Sequence, residues 1–198
     1  MGQYYRPCLL NPNYKKNKKK VLENTLSPYA FGTCAKLTEH SWIGNCLVAS
    51  AMIMLLDNKT NPFVWAGDYA DTIKGRTDDM NVYDFTRNGV DTKCSDQYRA
   101  ENGEMTWEIA KEMDWYIINH TKKEYVKVPK YRERVWQPHP LPLLTAESNG
   151  KGGGDYPTNG LNADKVGMWK YDIIGTAPHK SDVPKGYKRI NIKFIAYI

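Results

Sequence analysis

Residues 46–56 read CLVASAMIMLL, a run with no charged side chain and a single hydroxyl, Ser50. Its apolar residues fall on nearly every face of a 3.6-residue period, which predicts a helix lying inside a domain. Ala49, Ser50 and Ala51 are small enough to let another element approach closely. The preceding EHSWIGN, residues 39–45, offers Ser41 as an N-cap. Glu39 and His40 then stand at the helix entrance, where unpaired backbone N–H groups favour negative charge.

Around this helix the chain is strand-rich. Residues 4–11 (YYRPCLLN) read as a first strand, which Pro7 should push to a sheet edge. Residues 61–66 (NPFVWA) form a short buried strand. Residues 115–120 and 124–128 flank Thr121-Lys122-Lys123 and predict a hairpin. Three more strands are expected at 141–146, 167–174 and 189–198, the last with Ile190, Ile192, Phe194 and Ala196 on one face. Residues 106–113 make a short helix capped by Thr106, and the polar stretch 72–103 is an excursion with local structure at 82–85. No internal repeat is present. The expectation is an α+β fold, an antiparallel-rich sheet around one buried helix, in a single domain over 1–198.

The 198 residues carry a net charge of +6, unevenly placed: residues 1–36 hold seven bases against one acid, 57–114 seven against 13, and 115–198 fourteen against seven. Basic ends around an acidic middle allow attraction to phosphate-bearing ligands, while a solubilising mosaic is the plainer reading. The lysine-rich turn NPNYKKNKKK, residues 11–20, fits a solvated loop that discourages edge pairing, so nucleic acid is not the expected partner. No stretch nears the roughly 20 apolar residues that cross a bilayer, and the first residues lack a secretory leader's apolar core. A soluble, cytoplasmic protein is expected. Cys8, Cys34, Cys46 and Cys94 form no C-x-x-C pair, so neither metal nor redox cofactor is expected.

The most unusual segment is HPLPLLTAESNGKGGGDYP, residues 139–157. Its glycines are not a Walker A loop, because Lys151 precedes Gly152 where that loop needs a lysine followed by a hydroxyl. They are not a dinucleotide fingerprint either, since Tyr156-Pro157 blocks a following helix. Gly152, Gly153 and Gly154 could turn successive N–H groups to one side as an anion nest, with Lys151 adding charge and Asp155 accepting from a sugar hydroxyl. The plainer alternative is a flexible connection. Asp68 and Asp71 could hold Mg²⁺ or serve acid–base chemistry, but turn-capping explains them as well. Asn119 and His120 end an apolar strand; His120 as a base would need a partner such as His40, Asp68 or Glu147 in space. No Ser-His-Asp, Cys-His or H-E-x-x-H order appears.

MGQYY at the start, AKLTEHSWIGN at 35–45, VWAGDYAD at 64–71, NHTKKEYV at 119–126 and HPLPLLTAESNGKGGGDY at 139–156 together resemble a family of uncharacterised proteins from gut bacteria and their phages. The resemblance implies a role in the conflict between phage and host, and the host cytoplasm as the setting. It carries no catalytic residues. The preferred reading is a protein that binds and sequesters a phosphorylated, nucleotide-type ligand. The glycine nest would hold phosphate, Lys36 or Lys151 would add charge, and Trp65 or a tyrosine such as Tyr156 would stack on the base. A phosphodiesterase using His120 or His40 with Asp68 is one alternative, and an inhibitor acting through its surface is another.

Overall fold

A computed structural model of the chain describes residues 2–17, 19–87, 106–149, 151–156 and 162–192. In chain order its elements are β1 (Tyr5–Leu10), β2 (Leu22–Thr25), α1 (Leu37–His40), α2 (Cys46–Met54), β3 (Phe63–Gly67), α3 (Val82–Arg87), α4 (Trp107–Glu112), β4 (Tyr116–Asn119), β5 (Glu124–Lys127), α5 (Pro140–Thr145), β6 (Ile174–Ala177) and β7 (Lys188–Arg189), with 3-10 turns at Pro28–Phe31 and Lys180–Asp182. The fold is α+β.

Helix α2 is buried along its length except at Ile53, as its all-round apolar character requires. Its cap differs from the expected one. Asn45 accepts from the Leu47 N–H at 2.9 Å, while Ser41 closes α1 instead, donating its N–H to Leu37 O. The tight turn at Trp42–Asn45, with Asn45 N–H on Trp42 O, leaves Asn45 as the residue before the first helical turn. At the other end, Thr176 Oγ1 donates to Met52 O at 2.6 Å and Thr176 N–H to Leu55 O, tying the helix to β6.

Two sheets meet this helix. One is antiparallel, in the order β2-β1-β3; the other runs β6-β4-β5-β7, antiparallel but for the β5–β7 pair. A single core cluster joins α2 to Tyr5, Phe63 and Trp65 of the first sheet and to Ile117, Val126 and Ile174 of the second. Strand β1 is therefore central, not an edge, despite Pro7. Alternate N–H groups of β1 point to β3 (Leu10, to Pro62 O) and away from it (Tyr5, to Ala35 O), and Pro7 falls on the Tyr5 side. Strand β2 has ended at Thr25 by that level. Only the Pro7 carbonyl is needed there, and it accepts from Leu26 N–H and Thr25 Oγ1.

Three expected strands also change. Residues 140–145 are helix α5, because Pro140 and Pro142 preset helical φ in a first turn that needs no donor, and His139 Nδ1 caps Leu141 N–H at 3.1 Å. Residues 162–172 form successive turns, and bridging starts at Ile173, which pairs with Pro62, directly before β6. Of 189–198, residue 189 belongs to β7, and residues 193–198, with Phe194 and Ala196, lie outside the described residues. The hairpin β4–β5 and the Thr106-capped α4 stand where expected. In the excursion, α3 covers the predicted local structure, and residues 88–105 lie outside the described residues. Among the described residues no helix is long and apolar enough to cross a membrane.

Candidate ligand-binding site

The glycine segment packs against the start of the chain. Gly153 bridges Gly2, its carbonyl accepts from Gln3 N–H at 3.0 Å, and Gly154 O accepts from Thr38 N–H. A Cβ at Gly152 would stand 2.8 Å from the Gln3 backbone nitrogen, and one at Gly154 would run into the Lys36 stem. Only Gly154 of the three has positive φ, at 90°. These glycines make a close backbone seam, and Gln3, fully buried, fills the space that Gly67 and Gly152 leave. Asp155 faces inward from this seam: Tyr5 Oη donates to it at 2.5 Å, and the Gln3 amide, assigned with its nitrogen toward the carboxylate so that both are satisfied, donates to it at 3.1 Å.

Most of the other expected site residues are absorbed by the same framework. His40 is fully buried, with Nε2 accepting from Trp65 Nε1 at 2.9 Å and Nδ1 on Cys34 O at 2.9 Å. Its neutral form fills both bonds, and burial lowers its pKa to about 4. Trp65 has no exposed surface for stacking. The Lys36 ammonium lies 3.7 Å from Glu39. Asp68 accepts from Tyr4 N–H at 2.9 Å, extending the β1–β3 pairing. Asn119 is buried at the hairpin, donating to Asp172 and accepting from Lys122 N–H, and His120 beside it meets Tyr187 Oη at 3.3 Å. His120 thus follows β4 of the second sheet, whereas His40, at the end of α1, and Asp68, just past β3, lie against the first. Tyr156 is buried, with its hydroxyl on Ser41 O.

The open chemistry lies next to the seam, in a cleft of about 340 Å³. Its floor is Glu147. Helix α5 delivers this residue to β3, where Ala146 bridges Trp65 and Glu147 N–H donates to Trp65 O. One wall is Tyr171, whose hydroxyl donates to Glu147 Oε1. Tyr171 N–H is held on Phe63 O with φ at +68°, a left-handed backbone that costs a bulky residue about 1–3 kcal/mol. Tyr14 lies parallel to Tyr171, ring centroids 6.0 Å apart, and Arg76 fixes its loop by donating to Tyr14 O and Asn17 O. Lys15, Lys74 and Lys170 stand exposed at the rim, and among the described residues Lys74 and Lys170 make no ion pair. Lys151 is turned to the rim residue Asp71 at 3.5 Å, and Asn149 holds Tyr69 O.

Glu147 is the unusual group. It is 7% exposed, and its Oε2 has no hydrogen-bond partner. Burial raises its pKa to about 7, against the pull of the Tyr171 hydroxyl, the Gly67 amide and Lys170. A buried carboxyl whose second oxygen lacks a well-formed hydrogen bond is costly, and strain beside it marks a place to look for function. The arrangement sets a buried acid and two stacked tyrosines in the lining of the cleft, with lysines at its rim that can hold an anion. Sequence reasoning named Glu147 only as a partner for His120 and missed Tyr14, Tyr171 and the three lysines. One signal was available: Glu147 follows directly on the apolar run PLPLLTA, residues 140–146. Among the described residues no group of three or more His, Cys, Asp or Glu side chains could hold a metal ion. Neither a protein family, nor a curated protein, nor a solved structure matches the chain.

Proposed function

We propose that this protein binds a small anionic ligand of the nucleotide type in the Glu147–Tyr171 cleft. The observation that carries the reading is Glu147 itself, a buried acid lining the cleft with one oxygen unpartnered, below a rim of three lysines. The volume lies in the range of small-molecule sites. Phosphate belongs at the rim with Lys74 and Lys170, and the flat part of the ligand belongs against the tyrosines. In the phage setting implied by the resemblance, such a protein would hold a host's nucleotide signal away from its receptor.

The test is calorimetry against cyclic, linear and ADP-ribose-type nucleotides, with mass spectrometry of any ligand released by heat from the purified protein. Micromolar or tighter binding of at least one is expected. Replacing Lys74 and Lys170 together by Ala should weaken it about tenfold and flatten its salt dependence. Failure of every nucleotide to bind overturns the reading. A protein acting through its surface would then take precedence, supported by Trp136, which is 57% exposed and packs on Trp42 with centroids 4.5 Å apart.

A further inference from the structure

Glu147 and the rim lysines line one cleft, so a charge arriving at the rim is felt at the acid. The carboxyl is buried, and among the described residues it makes no ion pair. Neutral donors hold it, the Tyr171 hydroxyl on Oε1 and the Gly67 amide. Burial disfavours the ionised form of such a group, and the charges around it decide how far. Lys170, at the rim, favours ionisation, and Asp71 on the same lining opposes it. An anion settling on Lys74 and Lys170 adds charge of the same sign as Asp71 and offsets the pull of Lys170. Both changes push toward the neutral carboxyl.

We propose that anion binding in this cleft is coupled to protonation of Glu147: the chain takes up a proton from solvent as the anion settles on the rim lysines, and affinity falls as pH rises through the neutral range. This rests on the reading above for the cleft and for an anion at its rim. Nothing has to touch the enclosed carboxyl oxygens, because the coupling is carried by charge.

The groups facing Glu147 are Tyr171 and Lys170 from the 162–172 turns, Asp71 after β3, Tyr5 and Cys8 on β1, and Tyr14 after β1. Burial holds the phenols and the thiol of this set well above their ordinary pKa values, so they stay protonated across the neutral range. Glu147 is the group that burial brings to neutrality, at about 7. With the anion in place its pKa lies higher still. Well below pH 7 the acid is protonated whether or not the anion is bound, and affinity is at its fullest. Between the free and the bound pKa each binding event draws in a proton, so affinity declines there and levels off above.

The experiment titrates the full chain by calorimetry with sulfate and with cyclic AMP, neither of which changes charge between pH 5.5 and pH 8.5, as the parent and as Glu147→Gln. Parent affinity should be at least about fivefold weaker at pH 8.5 than at pH 5.5. At pH 7, in two buffers of different ionisation enthalpy, the heats should report an uptake of roughly 0.2 proton or more per anion. In the Gln variant affinity should hold steady with pH and the uptake should vanish. Should that variant fail to fold, the parent's infrared difference spectrum at pH 8 decides: a protonated-carboxyl band gained on binding supports the coupling, and its absence overturns it. Binding without proton uptake overturns the coupling and leaves the nucleotide reading standing. Uptake that persists in the Gln variant places the proton on another group and overturns the coupling too. Sulfate bound with uptake while no nucleotide binds keeps the coupling and overturns the nucleotide reading. If neither probe binds at either pH the coupling falls, and the wider nucleotide panel then decides the nucleotide reading by itself.

Discussion

The glycine seam and the Glu147 cleft are neighbours in the chain and opposites in their chemistry. In the seam, polar side chains are answered within the protein: Gln3 by Asp155, Asp155 by Tyr5, His40 by Trp65 and Cys34 O. Gly152 brings its backbone against that of Gln3, and Gly154 lies against the Lys36 stem, where a Cβ would not fit. A few residues earlier, Glu147 keeps an unpartnered oxygen beside a tyrosine in a left-handed conformation. Conspicuous composition marked the first region, and it serves the fold. An ordinary-looking acid marked the second, and it carries the open chemistry. Unusual residues become a site only when their polar groups are left unanswered.

The sharpest way to break this contrast is to overfill the seam. Gly152→Val would drive a side chain into the Gln3 backbone, which cannot swing aside as a flexible side chain can. We expect a loss of more than about 3 kcal/mol in stability, read as a large drop in melting temperature, with much of the protein unfolded at 37 °C. If Gly152→Val melts like the parent and only ligand binding suffers, the seam is a binding loop and the contrast collapses.

The next effect comes from the cleft and has the opposite sign. The folded pKa of Glu147, about 7, lies above the ordinary carboxylate value of 4.5. Between those values the folded chain holds a proton that the unfolded chain has lost. The contribution of Glu147 to stability is therefore full below about 4.5 and is lost as pH rises through 7. Glu147→Gln has no charge to bury, so its advantage over the parent should grow from pH 5 to pH 8, reaching at most about 3 kcal/mol. His40 and His139, lowered by burial to about 4 and 3, titrate alike in both proteins and cancel in the difference. Denaturant unfolding of the pair at pH 5, 6.5 and 8 reads this directly. A difference that stays constant with pH would mean the carboxyl is answered, by water or otherwise.

How much of this could be read beforehand follows from the range of each interaction. Helix α2 is legible because a run apolar on every face has one stable location. The hairpin β4–β5 and the Thr106 cap are legible because their signals are local. Strand 141–146 failed because apolar periodicity over six residues does not separate a buried strand from a buried helix, and the two prolines carried the decisive information. Edge placement of β1 failed because a missing N–H matters only if the partner strand reaches it, and β2 stops short. The cleft was least legible. Tyr14, Glu147 and Tyr171 meet through the β1 loop, the 146–147 edge and a turn whose φ no local pattern announces.

The smallest expected effect is at Lys151, the charge that the sequence places most prominently beside the glycines. Its ammonium sits 3.5 Å from Asp71, with the two side chains 61% and 92% exposed. An ion pair so open to water is weakened by screening and by the entropy of two loose side chains, so Lys151→Ala should change stability by no more than about 0.5 kcal/mol. Its effect on binding is more instructive. Removing Lys151 frees Asp71, an acid lining the cleft, while Lys74 and Lys170 remain. Affinity for an anionic nucleotide should fall about twofold, well short of the tenfold expected for the two rim lysines, and the loss should vanish in high salt. Asp71→Asn in the same background removes the uncovered charge and should restore parental affinity. A large, salt-resistant loss in Lys151→Ala that Asp71→Asn does not repair would mean that Lys151 touches the ligand, and the binding site would then extend from the cleft onto the seam.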